Sequence, residues 1–184
     1  MMKVRFFLIL ILMSLFGCNK EKTFKVKTVH SKDNYSIEVP IFMTKSEILH
    51  REASLQFQDI SRELYLVVID EPQDEFNALV EMEEISGKHY TSNLDGYTTL
   101  LLDNLQSNII ECKIINLKDV NINGLPAKQF QITGIVDGVE VFYQLACIQG
   151  DRKYYQVVSW TILQNKKAYV SAMEKAILSF KERI

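Results

Sequence analysis

The side chains best suited to nucleophilic or metal chemistry in this sequence are its three cysteines and three histidines. Cysteine and histidine ligands of a structural zinc site usually come in closely spaced pairs. No such pair occurs here, and Ser159 and Thr161 have no base at a recognisable spacing that could activate them. The sequence therefore predicts no catalytic centre, no metal site and no cofactor. The six residues that carry this conclusion are Cys18, His30, His50, His89, Cys112 and Cys147.

Phosphate-binding and calcium-binding motifs are also missing. The seven glycines do not form a G-x-G-x-x-G, a P-loop or a G-x-S-x-G motif. The acidic stretch 70–75 could attract Ca²⁺, but it lacks the glycine and the ligand spacing of an EF-hand loop. We interpret this stretch as the solvated exit of a strand.

Cys18 is the one residue for which the sequence predicts a specific modification. The apolar run 6–16 is eleven residues long, whereas a membrane-spanning helix needs about 20. Lys3 and Arg5 precede the run and Gly17 follows it, which is the pattern of an export signal. The stretch "SLFGCNKEK" resembles the lipobox of bacterial lipoproteins, although Phe16 stands where a smaller residue is usual.

The lipobox resemblance implies a cellular location for the protein. It implies that residues 1–17 are a signal peptide and that Cys18 carries acyl chains such as palmitate. Each buried CH₂ contributes about 0.8 kcal/mol, so two or three chains would hold a folded body on a membrane of the cell envelope. The alternative is an unmodified thiol beside an uncleaved anchor. Residues 18–33 are polar and lysine-rich, which favours a tether.

The charge of the processed chain argues against nucleic acid as a partner. Removing residues 1–17 leaves 167 residues, with 19 basic against 23 acidic side chains. Nucleic-acid binding depends on neutralising phosphates, which a mildly acidic body does poorly. The same balance argues against a polybasic grip on anionic lipids. A chain of this length is sufficient for one domain with a real core.

The two remaining cysteines, Cys112 and Cys147, each alternate with apolar residues along a predicted strand. Free cysteine is among the most buried residue types, so two buried thiols are one interpretation. An exported protein can also form disulfides, so a bridge between the two stays open as the other.

Hydrophobic periodicity predicts strands first, then a helix, a strand meander and a second helix. The alternation of "YSIEVP" predicts a strand that ends at Pro40, and residues 64–69, apolar on both faces, predict a central strand that residues 70–72 stop. Residues 73–90 are ambiguous, with helical turns around Phe76 possible. Three strands within 129–162, in which Gln129 and Gln131 take the polar positions, predict the meander.

Two helices are predicted from apolar residues at helical spacing. The first has the face Leu94, Tyr97, Leu101, Leu105 and Ile109, capped by Ser92 or Asn93. The second has the face Tyr169, Met173, Ile177 and Phe180, capped by Asn165. Strands apolar on both faces together with two amphipathic helices favour an α+β sandwich.

The run "NINGLPAKQFQITGIVDGVEVFYQLACIQGDRKYYQVVSWT", the helix ending in "AILSF" and the early "YSIEVP" resemble PsbP-like domains. The resemblance implies one domain over residues 34–184, with an antiparallel sheet of six to seven strands sandwiched by helices. It also implies a binding or assembly factor, because members of this family act in that way and share no catalytic residues.

Three functions remain open from the sequence. The first is a non-enzymatic envelope lipoprotein that binds a protein partner through the meander edge or the segment 76–90. The second is a small-ligand or lipid-binding module with a pocket between sheet and helix, lined by Tyr97, Tyr143 or Trp160. The third is a hydrolase whose residues assemble only in space. Tyr154, Tyr155 and Trp160 could form a stacking platform, but core or cross-strand pairing is favoured.

Replacing Cys18 with serine tests the predicted lipid attachment. Cys18→Ser should leave a precursor of unchanged length without lipid, because the acyl acceptor is the thiol. Metabolic labelling with a fatty acid and intact mass measurement check this. Lipid-labelled protein of mature size from the variant would disprove the assignment.

Overall fold

A seven-stranded antiparallel sheet is the centre of the computed structural model, which describes residues 23–32, 35–82 and 89–183. Cys18 lies outside these described residues. In chain order the strands are β1 (Val26–His30), β2 (Tyr35–Pro40), β3 (Thr44–Lys45), β4 (Ala53–Asp59), β5 (Leu64–Pro72), β6 (Ile110–Ile122), β7 (Leu125–Val136), β8 (Val139–Gln149), β9 (Lys153–Ile162) and β10 (Lys181–Glu182). The strands of the main sheet are ordered β3-β4-β5-β9-β8-β7-β6, and a smaller sheet has the order β1-β2-β10.

Within the described residues, three helices cover the sheet: α1 (Gln73–Met82), α2 (Leu94–Asn108) and α3 (Lys166–Leu178). Successive residues of one strand point to opposite faces, so Tyr154 packs in one apolar cluster and Tyr155 in the other. Tyr154 lies with Phe76 of α1 and Tyr97 of α2 on what we call the α2 face. Tyr155 lies with Met173 of α3 and the small sheet on the α3 face. The predicted α+β sandwich with a sheet of six to seven strands is confirmed.

The predicted N-terminal cap is present in α2 and absent in α3. Asn93 caps α2, because its side-chain oxygen accepts a hydrogen bond from the Gly96 amide at 3.0 Å. Asn165 precedes α3 but makes no capping hydrogen bond. A short 3₁₀ turn, Leu163–Asn165, leads into α3 instead, and the Asn165 amide donates to the Arg62 carbonyl. The predicted cap at Asn165 is therefore wrong.

Two further expectations are corrected by strand pairing. Residues 26–30, predicted as part of the tether 18–33, form β1 because their backbone pairs with β2 in the register Val26↔Pro40. Strand β5 does not stop at Asp70 but runs through Pro72. The Asp70 carboxylate accepts a hydrogen bond from the Lys153 ammonium on the neighbouring strand, so the acidic residue is compatible with pairing.

The ambiguous segment 73–90 contains a ten-residue helix, α1, with Phe76 buried. None of the helices in the described ranges is long and apolar enough to span a membrane.

Phe180 should be a main contributor to the stability of the α3 face. Its ring is fully buried, and its centroid lies 5.2 Å from that of Tyr35 and 4.8 Å from that of Tyr155. Phe180→Ala should lower the free energy of unfolding by about 3–5 kcal/mol, as large truncations in a core do. Denaturant unfolding followed by the fluorescence of Trp160 measures this, with Leu178→Ala, at an exposed position, as the control. A loss well under about 1 kcal/mol would contradict this packing.

Candidate binding cleft

A polar cleft of about 400 Å³ opens between the α3 face of the main sheet and helix α3. Its floor carries the side chains of Gln129 and Gln131 on β7 and of Gln144 on β8. Glu174 of α3 forms one wall, and the edge strand β6 forms the other. The residues that line it are Asn116, Leu117, Lys118, Gln129, Phe130, Gln131, Gln144 and Glu174.

The glutamines on the floor differ in how well their hydrogen bonds are satisfied. Gln131 and Gln144 are direct cross-strand partners. The side-chain Nε2 of Gln131 donates a hydrogen bond to the side-chain Oε1 of Gln144 at 2.9 Å. Gln129 is only 2% exposed, and its Nε2 has no hydrogen-bond partner among the described residues. A buried donor without an acceptor costs about 1–3 kcal/mol. The unpaired side-chain amide of Gln129 at the floor of the cleft therefore lowers the stability of the free protein.

The wall formed by β6 is irregular where it borders the cleft. The register with β7 shifts between Ile115 and Lys118, and Asn116 has a positive φ of 56°. A bulge of this kind leaves an unpaired residue and re-aims side chains, and bulges are common beside binding sites. Here the irregular stretch supplies Asn116, Leu117 and Lys118 to the cleft.

The cleft can bind polar groups but has no apparatus for catalysis by a nucleophile. It presents amides from four residues, one ammonium and one carboxylate, and no cysteine, histidine or serine. Amide side chains both donate and accept hydrogen bonds, so they match neutral groups of the same kind, such as peptide units or hydroxyls.

Trp160 is the centre of an aromatic ladder that crosses three strands on the α2 face. Its ring centroid lies 5.0 Å from that of Tyr65 and 6.0 Å from that of Tyr143, with interplanar angles of 15° and 29°. Both tyrosines are its direct cross-strand neighbours. Since both faces of the indole are occupied, it has no free face on which a ligand could stack.

The proposed stacking platform is thus taken up by packing. Tyr154 and Tyr155 are buried on opposite faces of the sheet, so they do not form one surface with Trp160. The preference for core and cross-strand pairing is confirmed.

Tyr97, predicted with Tyr143 or Trp160 to line a pocket between sheet and helix, is buried in aromatic packing. Its ring stacks on Tyr154 with centroids 4.5 Å apart, and its hydroxyl accepts a hydrogen bond from the Gln156 amide at 2.9 Å. Burial raises the pKa of Tyr97 far above its usual value, with the charge of Glu71 adding to the effect. None of the three residues lines the polar cleft, which lies on the opposite face of the sheet.

Cys112 and Cys147 are free thiols. Cys147 pairs with Lys128, whereas Cys112 lies beside Gly134, six residues further along β7 and about 20 Å away at the rise of a strand. A disulfide needs Cα atoms closer than about 7 Å, so these two do not meet its geometry. Burial raises the pKa of Cys147 to about 12 and also raises that of Cys112. Neither is a reactive thiolate at neutral pH.

Metal ligation is not favoured by the remaining acidic and histidine side chains. Within the described ranges, no group of three or more histidine, cysteine, aspartate or glutamate residues could hold an ion. Two acids that do converge are neutralised by a lysine. The Lys128 ammonium lies 2.6 Å from a carboxylate oxygen of Asp95 and 2.6 Å from one of Asp119, and these hydrogen bonds raise its pKa. This bridge ties the start of α2 to β6.

Comparison with known proteins places the fold. No family model and no curated protein matches the chain. Among solved structures, the solution structure of cyanobacterial PsbP (CyanoP) from Synechocystis sp. PCC 6803 is similar, with a TM-score of 0.57 and 14% identity. That likeness covers 91% of this chain and 98% of that one.

Two further solved structures share the architecture. LpqN of Mycobacterium tuberculosis, described as involved in cell envelope biogenesis, gives a TM-score of 0.54 at 10% identity, covering 89% of this chain and 93% of LpqN. PA94 of Pseudomonas aeruginosa, a protein of unknown function, gives a TM-score of 0.52 at 13% identity. That likeness covers 86% of this chain and 98% of PA94. The identities are low, so what the likeness establishes is the fold. The chain has a PsbP-like fold.

Proposed function

We propose that this chain is a lipid-anchored protein of the bacterial cell envelope whose folded body binds a protein partner and has no catalytic centre. The order of charge, apolar run, small residue and Cys18 at the start of the chain supports the anchor. The fold it shares with LpqN, a protein of cell envelope biogenesis, is compatible with that location. The observation that carries the binding role is the unsatisfied, buried amide of Gln129 at the floor of an open cleft.

A polypeptide segment suits this cleft for two reasons. The accessible amides of Asn116 and Gln131 can exchange hydrogen bonds with the peptide units of a chain that lies along the floor. The cleft is also bounded by the edge strand β6, where Leu117 is 50% exposed and can contact an apolar side chain of that segment. The Gln129 Nε2 is itself inaccessible in the free protein, so its side chain must rotate toward the cleft before a bound segment can satisfy it and recover that cost.

The absence of catalysis is supported by what the cleft contains. An acyl-transfer or hydrolytic site needs a nucleophile or an activated water beside a base. The cleft instead combines amides with Lys118 and Glu174, both of which stand on its walls. Cys147, the most buried thiol, is not part of it and has a raised pKa.

A small polar ligand is the second candidate, and the size of the cleft favours it. A volume of about 400 Å³ falls within the range of roughly 300–1,000 Å³ typical of small-ligand pockets. The polar floor favours a ligand rich in hydroxyl or amide groups over a lipid chain, since acyl chains leave buried amides unsatisfied.

Photo-crosslinking from the rim of the cleft tests the proposed partner site. A benzophenone amino acid in place of Leu117 should give a covalent adduct with an envelope protein in intact cells. The matched control is the same change at Leu79 of α1, which is 48% exposed and belongs to the other segment considered as a contact surface. An adduct at position 79 and none at 117 would move the partner away from the cleft.

Gln129→Met separates binding from folding. The methionine is of similar length and removes the unsatisfied donor, so the free energy of unfolding should stay equal or rise by about 1 kcal/mol. The adduct from position 117 should be lost at the same time, as seen on a denaturing gel. A destabilised variant that still forms the adduct would show that Gln129 serves the fold and not the partner.

A further inference from the structure

The first described residues enter the fold at one defined end of the molecule. The ring of Phe24 lies 5.3 Å from that of Phe42 and 5.9 Å from that of Tyr169, measured between centroids. The amide of Ile41 donates to the carbonyl of Lys25 at 2.9 Å. These contacts fix the position at which the chain arrives from Cys18.

The same end carries the termini of most strands of the main sheet. The Arg62 guanidinium lies 4.5 Å from the centre of the Phe42 ring, so the 3₁₀ turn Ile60–Arg62 before β5 is located there. The register continues across the sheet from Leu64 to Thr161, and then through β8 to β7. The hairpin between β7 and β8 and the start of β6 therefore lie at this end as well. We call it the entry end.

Exposed apolar side chains are concentrated at the entry end. The described residues include nine large hydrophobic side chains that are exposed, and five of these belong to it. They come from five different elements or turns, so no single amphipathic helix accounts for them. Their exposed fractions range from 45% to 65%, and they are Val26, Ile41, Ile60, Ile110 and Val139.

We propose that the entry end rests against the surface of the phospholipid bilayer. The inference rests on the proposed anchor at Cys18. Phe24 follows Cys18 by six residues, which even a fully extended chain cannot stretch beyond about 22 Å. The anchored body therefore cannot turn far from the membrane, and the surface nearest the anchor is the entry end. Its isoleucines reach the boundary between headgroups and acyl chains, where exposed apolar area is favourably buried.

Charge at the entry end favours a neutral phospholipid surface over an anionic one, because exposed Glu111, Asp137 and Glu140 lie beside Ile110 and Val139. Arg62 is paired with Asp59, with 2.6 Å between nitrogen and oxygen, and so adds little net charge. Lys25 is exposed beside the entry point, and such a side chain can extend its ammonium to the headgroups. Apolar contact, and not a polybasic patch, then determines the orientation of the body.

This orientation also sets the distance between the cleft and the bilayer surface. Gln131 lies five residues from Val136, the end of β7, which is about 17 Å at the rise of a strand. The cleft would open sideways at roughly this distance above the lipid. It is then accessible to the extramembrane part of a protein in the same bilayer.

Labelled cysteines test the orientation on the full mature protein in phosphatidylcholine vesicles. A Cys112→Ala background leaves Cys147, which is buried, and Cys18, whose sulfur carries the lipid. An environment-sensitive nitrobenzoxadiazole label is placed at Ile41→Cys or Ile60→Cys. The matched control is Leu178→Cys, exposed to 44% at the far end of α3. Labels at 41 and 60 should shift to shorter emission wavelengths and be quenched by brominated acyl chains, whereas the label at 178 should do neither.

The outcomes separate the inference from the anchor on which it rests. The intact mass of the protein reports whether Cys18 carries lipid, and its absence would overturn anchoring and orientation together. If the protein is lipidated but the labels at 41, 60 and 178 show equal emission wavelengths and equal quenching, the orientation alone is overturned. A wavelength shift at 41 and 60 without quenching would also overturn it, because it would indicate a protein contact in place of lipid.

Discussion

Burial of the main sheet on both faces is the constraint on which the rest of the structure depends. Val67 and Val68 are neighbours in β5, point to opposite faces and are both buried. Fully burying such a side chain contributes about 1.5–3 kcal/mol, so each face needs a covering layer. Helices α1 and α2 cover one face, and α3 with the small sheet covers the other. Tyr97 packs α2 on Tyr154 of the sheet, and Phe180 closes the opposite layer.

The cleft arises where one covering layer is narrower than the sheet. Helix α3 packs mainly on β2, β8 and β9, while β7 and β6 continue the sheet beyond it. The residues that would have been core there are glutamines, and Gln129 and Gln144 are each only 2% exposed. Polar side chains at nearly buried positions lower stability unless a partner satisfies them. The position of the cleft and its polar character therefore have the same origin, which is an incompletely covered sheet.

Much of this fold is predictable from the sequence because the signals are local. The alternation in residues 129–162 predicts the meander, and the spacing of Tyr97, Leu101 and Leu105 predicts α2. Pairing between distant segments is not predictable in this way. Residues 26–30 are polar in composition, yet they form β1 because β2 offers them an edge. The cleft was missed for a related reason. Alternation assigns Gln129 and Gln131 to a polar face, which is normally solvated, and it cannot indicate that Gln129 is nearly buried beside the edge of α3.

Amide hydrogen exchange in the membrane-bound state tests most directly whether the cleft is the binding site. The anchored protein would be compared in native envelope membranes and after purification into vesicles of the same lipids. If the account is correct, exchange in residues 114–119 is slower in the native membranes, because a partner covers the bulged stretch of β6. Slowing confined to α1, or equal exchange in the two preparations, would contradict a partner in the cleft.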